Sequence, residues 1–467
     1  MPESSHLKPP IKAQTKPQIG RFSLICVIFF VVSGGAYGLE PLVGSLGAGW
    51  AVVLILAAPL FWCLPIAWMA SELGSAIPEE GGYYVWVRRG LGNFWGFQEG
   101  WWTLCYTAVD MALYPALFVD YLAYFCPSLS LSGALSGHDH ARTFALRWLV
   151  ALAVIATGFL ANWRGIRVVG KSSAVSAGLV AAPFVVITLL AFRHHGALAA
   201  SASAIAHGFA RGHNAHLLAL GFATILWNYS GWDNVSTFAA EVKDARRSYP
   251  FALGAAQLLI VAAYLLPVLA GIAYTTSPAL WSESAGWPDI ARLIGGPTLG
   301  IIVAAIALVS AWSMFNSQLL YVSRLPYAMA CEGWFPAVFT RLSGPASVPL
   351  ATLAASCIVA AAFTAFPFTK LVVLDILLYA IEVFLEFLAL MALRIRAPEM
   401  ERPFRVPGGW PVLILITLSP MALAAVVAVE SLRGAHEGLY QLLVIPAVIL
   451  SGVWLYYRKS TRKTLTS

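Results

Sequence analysis

Seven stretches of this 467-residue chain, 41–71, 172–192, 248–281, 293–323, 342–369, 406–429 and 438–457, contain no Asp, Glu, Lys or Arg. Each reaches the roughly 20 residues that a helix needs to cross about 30 Å of hydrocarbon. A water-soluble domain carries roughly 25% charged residues, whereas this chain has 11%, against 59% hydrophobic. The chain therefore reads as an all-α, multi-pass membrane protein. Twelve spans are predicted, near 21–45, 48–75, 94–125, 143–162, 168–192, 216–240, 251–274, 298–322, 347–366, 370–394, 409–430 and 437–457.

The net charge of +7 is no nucleic-acid signature, because the basic residues fall between the spans. With a cytoplasmic N-terminus, 22 of the 29 Lys and Arg lie on the cytoplasmic side. That bias fits the positive-inside rule and predicts that both termini are cytoplasmic. Residues 1–20 and 458–467 are then short cytoplasmic tails flanking a membrane domain at 21–457; the first twenty residues are polar and contain prolines, unlike a cleaved signal. The six cysteines are scattered singly and offer no disulfide framework or metal spacing. His138-Asp139-His140 sits on an external loop and reads as solvated polar chain rather than a metal site. The stretch 324–346 holds a short amphipathic pattern expected to lie at the interface.

The first span is interrupted by Ser33-Gly34-Gly35-Ala36-Tyr37-Gly38-Leu39-Glu40-Pro41. Irregular backbone at membrane depth is tolerated only where protein buries it or a cavity solvates it. A second interruption, Trp227-Asn228-Tyr229-Ser230-Gly231-Trp232-Asp233-Asn234, falls in span six. Spans one and six are equivalent members of two five-span halves, and paired breaks of this kind point to an inverted-repeat transporter with its site near the midplane.

Among the acids in the spans or beside the breaks, five stand out: Glu40, Asp110, Asp233, Glu382 and Glu386. None has a Lys or Arg at comparable depth in its own span. An aspartate at a helix centre costs about 2.5–3.5 kcal/mol even on the mild insertion scale, so these groups face water, carry protons or bind a cation. Glu382 and Glu386 share a helix face at i and i+4. Two carboxyls so placed in a dry setting do not both ionise readily, which makes the pair a proton carrier or a backbone-bonded structural element. Asp110, near the middle of span three, reads as functional, Asp233 as a cap for the second half of span six, and Asp375 as a partner for Lys370. Tyr37, Tyr114, Trp227, Tyr229, Trp232 and Tyr379 supply aromatic faces suited to a cationic amine.

Beyond these residues, Ser71-Glu72-Leu73, Pro78-Glu79-Glu80-Gly81-Gly82-Tyr83, the run Arg324 to Gly333, and Arg402-Pro403-Phe404-Arg405-Val406-Pro407 occur in the order and spacing of the amino acid–polyamine–organocation (APC) superfamily. The chain resembles that superfamily over essentially its whole length. It is most similar to the polyamine-uptake branch of plants and protists in Ser33 to Glu40, Pro78 to Val87, Asp110 to Tyr121, Trp227 to Glu241, and Leu378-Tyr379 with Glu386. The resemblance implies a LeuT-like fold: two inverted five-helix repeats, about 21–192 and 216–394, with helices 1 and 6 broken, plus two extra helices at about 409–457. It also implies a substrate between spans one, three, six, eight and ten.

Two departures bear on coupling. The order Ser33-Gly34-Gly35 replaces the Gly-Ser-Gly of many amino-acid permeases. Some proton-coupled relatives carry a lysine midway along span five, where this chain has Val180, with Lys171 only near the cytoplasmic end. Carboxylates are then the expected proton carriers; Ser310 and Ser313 leave a sodium site open.

The expectation is a plasma-membrane secondary transporter for a cationic amine, preferably a di- or polyamine, working by proton symport and alternating access, with no cofactor or metal and an undetermined oligomeric state. Substrate would be bound by Ser33, Gly34, Gly35, Tyr37, Asp110, Tyr114, Trp227, Asn228, Ser230, Gly231, Tyr379 and Glu382, with protons carried by Glu40, Glu382 and Glu386. The alternatives are an amino-acid permease of the same superfamily and, in another class, a non-transporting sensor. An enzyme is disfavoured, because no nucleophile–base or metal spacing accompanies the acids.

Overall fold

Leu60, Phe61, Leu189, Leu258, Ile358, Leu415 and Leu450 project outward from the long helices, while Glu40, Glu72, Glu99, Asp110, Asp233, Asp375, Glu382 and Glu386 are buried. This apolar-outside pattern suits lipid as the surrounding solvent. The computed structural model describes residues 20–466 apart from 80, 131–139, 165, 210–214, 235, 237–241, 282–284, 344–347 and 434–436. Most of the N-terminal tail, His138 and Asp139, and much of the predicted second half of span six lie outside the described residues.

The helices in chain order are α1 (Arg21–Val32), α2 (Glu40–Ala58), α3 (Leu64–Ala76), α4 (Gly82–Leu91), α5 (Asn93–Leu122), α6 (His140–Trp163), α7 (Ile166–Phe192), α8 (Ala197–His207) and α9 (Ala215–Asn228). They continue as α10 (Ala245–Tyr274), α11 (Pro278–Trp281), α12 (Trp287–Gly295), α13 (Pro297–Val322), α14 (Arg324–Cys331), α15 (Leu350–Phe363), α16 (Phe368–Arg396), α17 (Gly409–Arg433) and α18 (Glu437–Thr466). No strand occurs among the described residues beyond one isolated bridge, Ser343 to Val348.

Seven of these segments are individually long and apolar enough to cross a bilayer, or eight if the pair Gly178–Phe192 and Ala197–His207, bent by 100°, forms one span. The predicted spans correspond to helices within a few residues at most ends. Span one divides as expected: α1 stops at Val32 and α2 begins at Glu40. Inside α2, Gly47 (φ 83°, ψ 164°) separates a short first segment from a helix that runs on to Ala76. That helix carries a π turn at Pro59–Cys63, and the Gln257 amide donates to the Pro59 carbonyl at 2.8 Å. The predicted interfacial stretch is α-helical over α14, with a 3-10 turn at Ala337–Thr340. The sequence reading contained neither α8, within the connection 193–215, nor α12.

One end of the bundle gathers several of the ion pairs. Arg21 lies 3.5 Å from Asp244, Arg246 2.7 Å from Glu401, Arg88 2.8 Å from Glu332, and the Lys459 ammonium stands 3.9 Å from the centroid of the Trp334 ring. Arg396 donates to the Gly90 carbonyl at 2.8 Å, joining these groups. The chain thus enters α1 and leaves α18 at the same end, which requires an even number of crossings between them. Burial and then the hydrogen bond to Glu332 push the Tyr84 hydroxyl above the usual phenol range, so it remains a donor at 2.5 Å.

Two of the motifs that carry the family resemblance hold each other at this end. The buried Glu72 carboxylate accepts from Arg394 Nε (2.8 Å), from a second Arg394 nitrogen, and from the Val406 N–H (2.8 Å), and it lies 3.3 Å from Arg402. The Phe404 N–H donates to Ser75 Oγ at 3.4 Å. Removing one side of a buried ion pair strands the opposite charge, at a cost of about 3–5 kcal/mol. Glu72→Gln is therefore expected to lower the thermal unfolding midpoint in detergent sharply, and an unchanged midpoint would show that the two arginines are neutralised by other groups.

Candidate binding site

A helix ending inside the bilayer leaves its last carbonyls without helical partners, and the first break shows how this chain satisfies them. The Ser310 hydroxyl donates to the Gly34 carbonyl at 3.0 Å, Trp287 Nε1 to Ala36 at 2.7 Å, and Asn228 Nδ2 to Gly38 at 3.5 Å. Tyr264 places its hydroxyl 3.4 Å from the Ser33 carbonyl and 2.7 Å from that of Asn228, tying the two breaks together. Ser310 is thus engaged with backbone. Gly34 (φ 56°), Gly35 (φ 91°) and Gly231 (φ 94°) adopt left-handed conformations that suit glycine. A Cβ on Gly35 would fall 2.8 Å from Val180 Cγ1, so Val180 presses directly on the first break.

Beside the breaks lies a cavity with about 400 Å³ of atom-free space, its opening included. Of the residues expected to bind substrate, Ser33, Asp110, Tyr114, Trp227, Asn228, Ser230 and Gly231 line it. Tyr106, Asn234, Met314, Gln318 and Asp375 line it as well and were not among the predicted site residues. Asp110 is oriented by neutral donors alone: Trp227 Nε1 at 3.1 Å, the Tyr114 hydroxyl at 3.2 Å and Gln318 Nε2 at 2.7 Å. Asp375, expected near the external end as a partner for Lys370, is buried at the cavity wall, and its Oδ1 has no hydrogen-bond partner.

Three buried side-chain atoms of this wall have no hydrogen-bond partner, Asp375 Oδ1, Gln318 Oε1 and Asn228 Oδ1, and each is an acceptor. The amide orientations of Gln318 and Asn228 follow from their neighbours, because each NH2 group faces acceptors: the Asp110 carboxylate for one, the Thr224 and Gly38 carbonyls for the other. Among the described residues, no Lys, Arg or His lines the cavity.

The remaining predicted residues sit elsewhere. Tyr37 packs edge-on to Tyr121 at 5.3 Å between ring centroids. Glu40 accepts from the Tyr121 hydroxyl at 2.6 Å and from the Trp287 N–H at 3.3 Å. Tyr379 packs against Tyr106 with ring centroids 5.2 Å apart and planes tilted by 55°, accepts from the Gly231 N–H at 3.2 Å and donates to Asp233. Glu382 accepts from the Thr103 hydroxyl at 2.7 Å, and Thr103 is seven residues, about 10 Å of helix, from Asp110. Glu382 and Glu386 are therefore a separate group from Asp110, and Glu99 joins them: one oxygen of each of the three lies within 4.8 Å of the others. Both oxygens of Glu99 and of Glu386 lack partners. An oxygen-only set suits a hard cation or shared protons and not a soft transition metal. Glu99 was legible as an acid inside span three, in register with Asp110 at eleven residues' spacing.

Gly35→Ala and Gly231→Ala share the cost of a left-handed backbone, about 1–2 kcal/mol. Only Gly35 adds crowding, since a Cβ on Gly231 meets nothing closer than Asn234 Nδ2 at 3.4 Å. Gly35→Ala is expected to be the more destabilising by about 1–3 kcal/mol; thermal unfolding of the two variants side by side reads the difference.

Residues 19–450 match the amino acid permease family. Polyamine transporter PUT1 of Oryza sativa subsp. japonica is 36% identical over 428 residues, covering 91% of this chain and 76% of the relative. A probable polyamine transporter of Arabidopsis thaliana is 33% identical over 424 residues, with coverage of 90% and 83%. Polyamine transporter RMV1 of Arabidopsis thaliana is 32% identical over 448 residues, with coverage of 95% and 86%. The chain belongs to the amino acid permease family of the APC superfamily and is a membrane transporter, not an enzyme.

Proposed function

We propose that this transporter carries a di- or polyamine into the cell by proton symport and alternating access. The observation that carries the reading is the set of unpaired buried acceptors around Asp110, Asp375 Oδ1, Gln318 Oε1 and Asn228 Oδ1: an ammonium brings three donors and no acceptor, so it matches what these side chains leave unpaired. The Trp227 and Tyr114 rings beside the carboxylate add cation–π faces. An amino acid's carboxylate would instead need free donors, and those of Trp227, Gln318 and Tyr114 are already directed at Asp110. The names of the rice and Arabidopsis relatives support the same substrate class.

The architecture proposed for this activity is twelve spans in two inverted repeats, about 21–192 and 216–394, with two further helices at about 409–457. The even number of crossings and the matched breaks after Val32 and Asn228 support it. The lysine- and arginine-rich end of the bundle would face the cytoplasm of a plasma-membrane protein, with both termini inside. Proton coupling would rest on Glu382, Glu386 and the neighbouring Glu99, with Glu40 as an outer relay. The apolar Val180 against the first break leaves no cation of the protein's own at that point.

In proteoliposomes, labelled putrescine or spermidine is expected to accumulate and to resist competition by neutral amino acids. Asp110→Asn should weaken amine uptake about ten- to a hundredfold, the worth of a charge-assisted hydrogen bond. Uptake of neutral amino acids that Asp110→Asn leaves intact would establish the amino-acid permease reading instead.

For coupling, an inward proton gradient should raise the initial rate of amine uptake, and Glu386→Gln should abolish that response while amine exchange persists. Uptake that ignores the pH gradient and requires sodium overturns the proton assignment.

A further inference from the structure

Asp110 and Asp375 are the two carboxylates of the cavity wall, and they come from different helices, α5 and α16. Their situations differ. Asp110 accepts from three donors of the protein, Trp227, Tyr114 and Gln318, which leaves room on its oxygens for one more. Asp375 is 1% exposed, and its Oδ1 faces no donor of the protein. A buried carboxylate oxygen without a donor is costly unless something else supplies one. Because Asp375 belongs to the cavity lining and no basic residue is found there among the described residues, the missing donor fits a ligand rather than a side chain.

We propose that Asp375 is a second ammonium subsite, so that the cavity takes a dication with one amine at Asp110 and the other at Asp375. This rests on the amine reading above and narrows it from cationic amines in general to diamines and longer polyamines. One carboxylate suffices for a monoamine; a second, on the opposing helix, adds affinity only when the ligand has a second positive end. The neutral acceptors Gln318 Oε1 and Asn228 Oδ1 complete the hydrogen bonds of the two ends without adding charge.

Full-length protein in proteoliposomes is compared for binding of 1,4-diaminobutane and its monoamine counterpart, 1-aminobutane, measured by competition against labelled diaminobutane or spermidine. Wild-type protein should prefer the diamine. Asp375→Asn should weaken the diamine about ten- to a hundredfold and leave the monoamine within about twofold, bringing the two affinities together. Asp375→Glu, which keeps the charge on a longer arm, should retain the diamine preference and move it toward a shorter diamine such as 1,3-diaminopropane. The retained monoamine binding of Asp375→Asn reports that the cavity is still folded. Diamine binding unchanged in Asp375→Asn overturns the subsite, as does an equal loss of diamine and monoamine in a variant whose thermal midpoint matches the wild type. Failure of the wild-type protein to bind any amine would overturn the amine reading itself, a different outcome from either.

Discussion

Every loose backbone group created by breaking a helix in hydrocarbon has to find a partner inside the protein, and that requirement organises the centre of this molecule. At the first break the carbonyls of Ser33, Gly34, Ala36 and Gly38 are met by Tyr264, Ser310, Trp287 and Asn228. These four side chains come from α10, α13, α12 and α9, so satisfying seven residues of irregular chain fixes the positions of four other elements. At the second break the Gly231 N–H is met by Tyr379 and the Tyr229 carbonyl by Trp232. The cavity is what remains once these bonds are made.

The second organising feature is a pair of facing stripes. On α5 the residues Glu99, Thr103, Tyr106 and Asp110 fall at i, i+4, i+7 and i+11, one face of a helix. On α16 the residues Asp375, Tyr379, Glu382 and Glu386 repeat that spacing. Glu99 lies against Glu386 and Glu382, Thr103 bonds Glu382, Tyr106 packs on Tyr379, and Asp110 shares the cavity with Asp375. The helices therefore run antiparallel and build layers: two aspartates, two tyrosines, then three glutamates with a threonine. Without the aromatic layer the cavity and the inner acids would be one continuous acidic channel.

Much of this was legible before any coordinates. The helices are written in charge-free runs whose length matches the bilayer, and the breaks in clustered glycines that no continuous span would carry. Asp110, Trp227, Asn228 and Gly231 could be placed at the site because they stand on or opposite those breaks. What escaped depends on register between segments distant in sequence. Asp375 looked like a helix-end residue near a lysine, and only packing of α16 on α5 turns it inward. Glu99 carries no local mark beyond being an acid in a span. Tyr264 and Trp287 are ordinary aromatics in the sequence, and their task is defined by carbonyls more than 200 residues away. Helical pattern is local and can be read from one segment; the partner of a freed backbone group cannot.

The layered stripes also constrain how a cation in the cavity and a proton among the inner glutamates can influence each other. Thr103, at the Glu382 level, is about 10 Å of helix from Asp110. Two unit positive charges at that separation repel by about 1.7 kcal/mol at an effective dielectric of 20. Coulomb forces alone thus make the proposed cargo and the proposed proton competitors, and linkage makes that penalty reciprocal. Symport needs the opposite sign, so its coupling has to come from a rearrangement worth more than the repulsion. The Tyr379 hydroxyl is the group placed to carry one. It bonds the Gly231 N–H of the second break and the Asp233 carboxylate, while its ring separates the two acid layers against Tyr106. A change at Gly231 when the cavity fills would break or remake bonds at the same side chain that seals the glutamates. That gives the inner layer a reason to hold its proton only in step with the cargo, which attraction or repulsion across 10 Å could not provide.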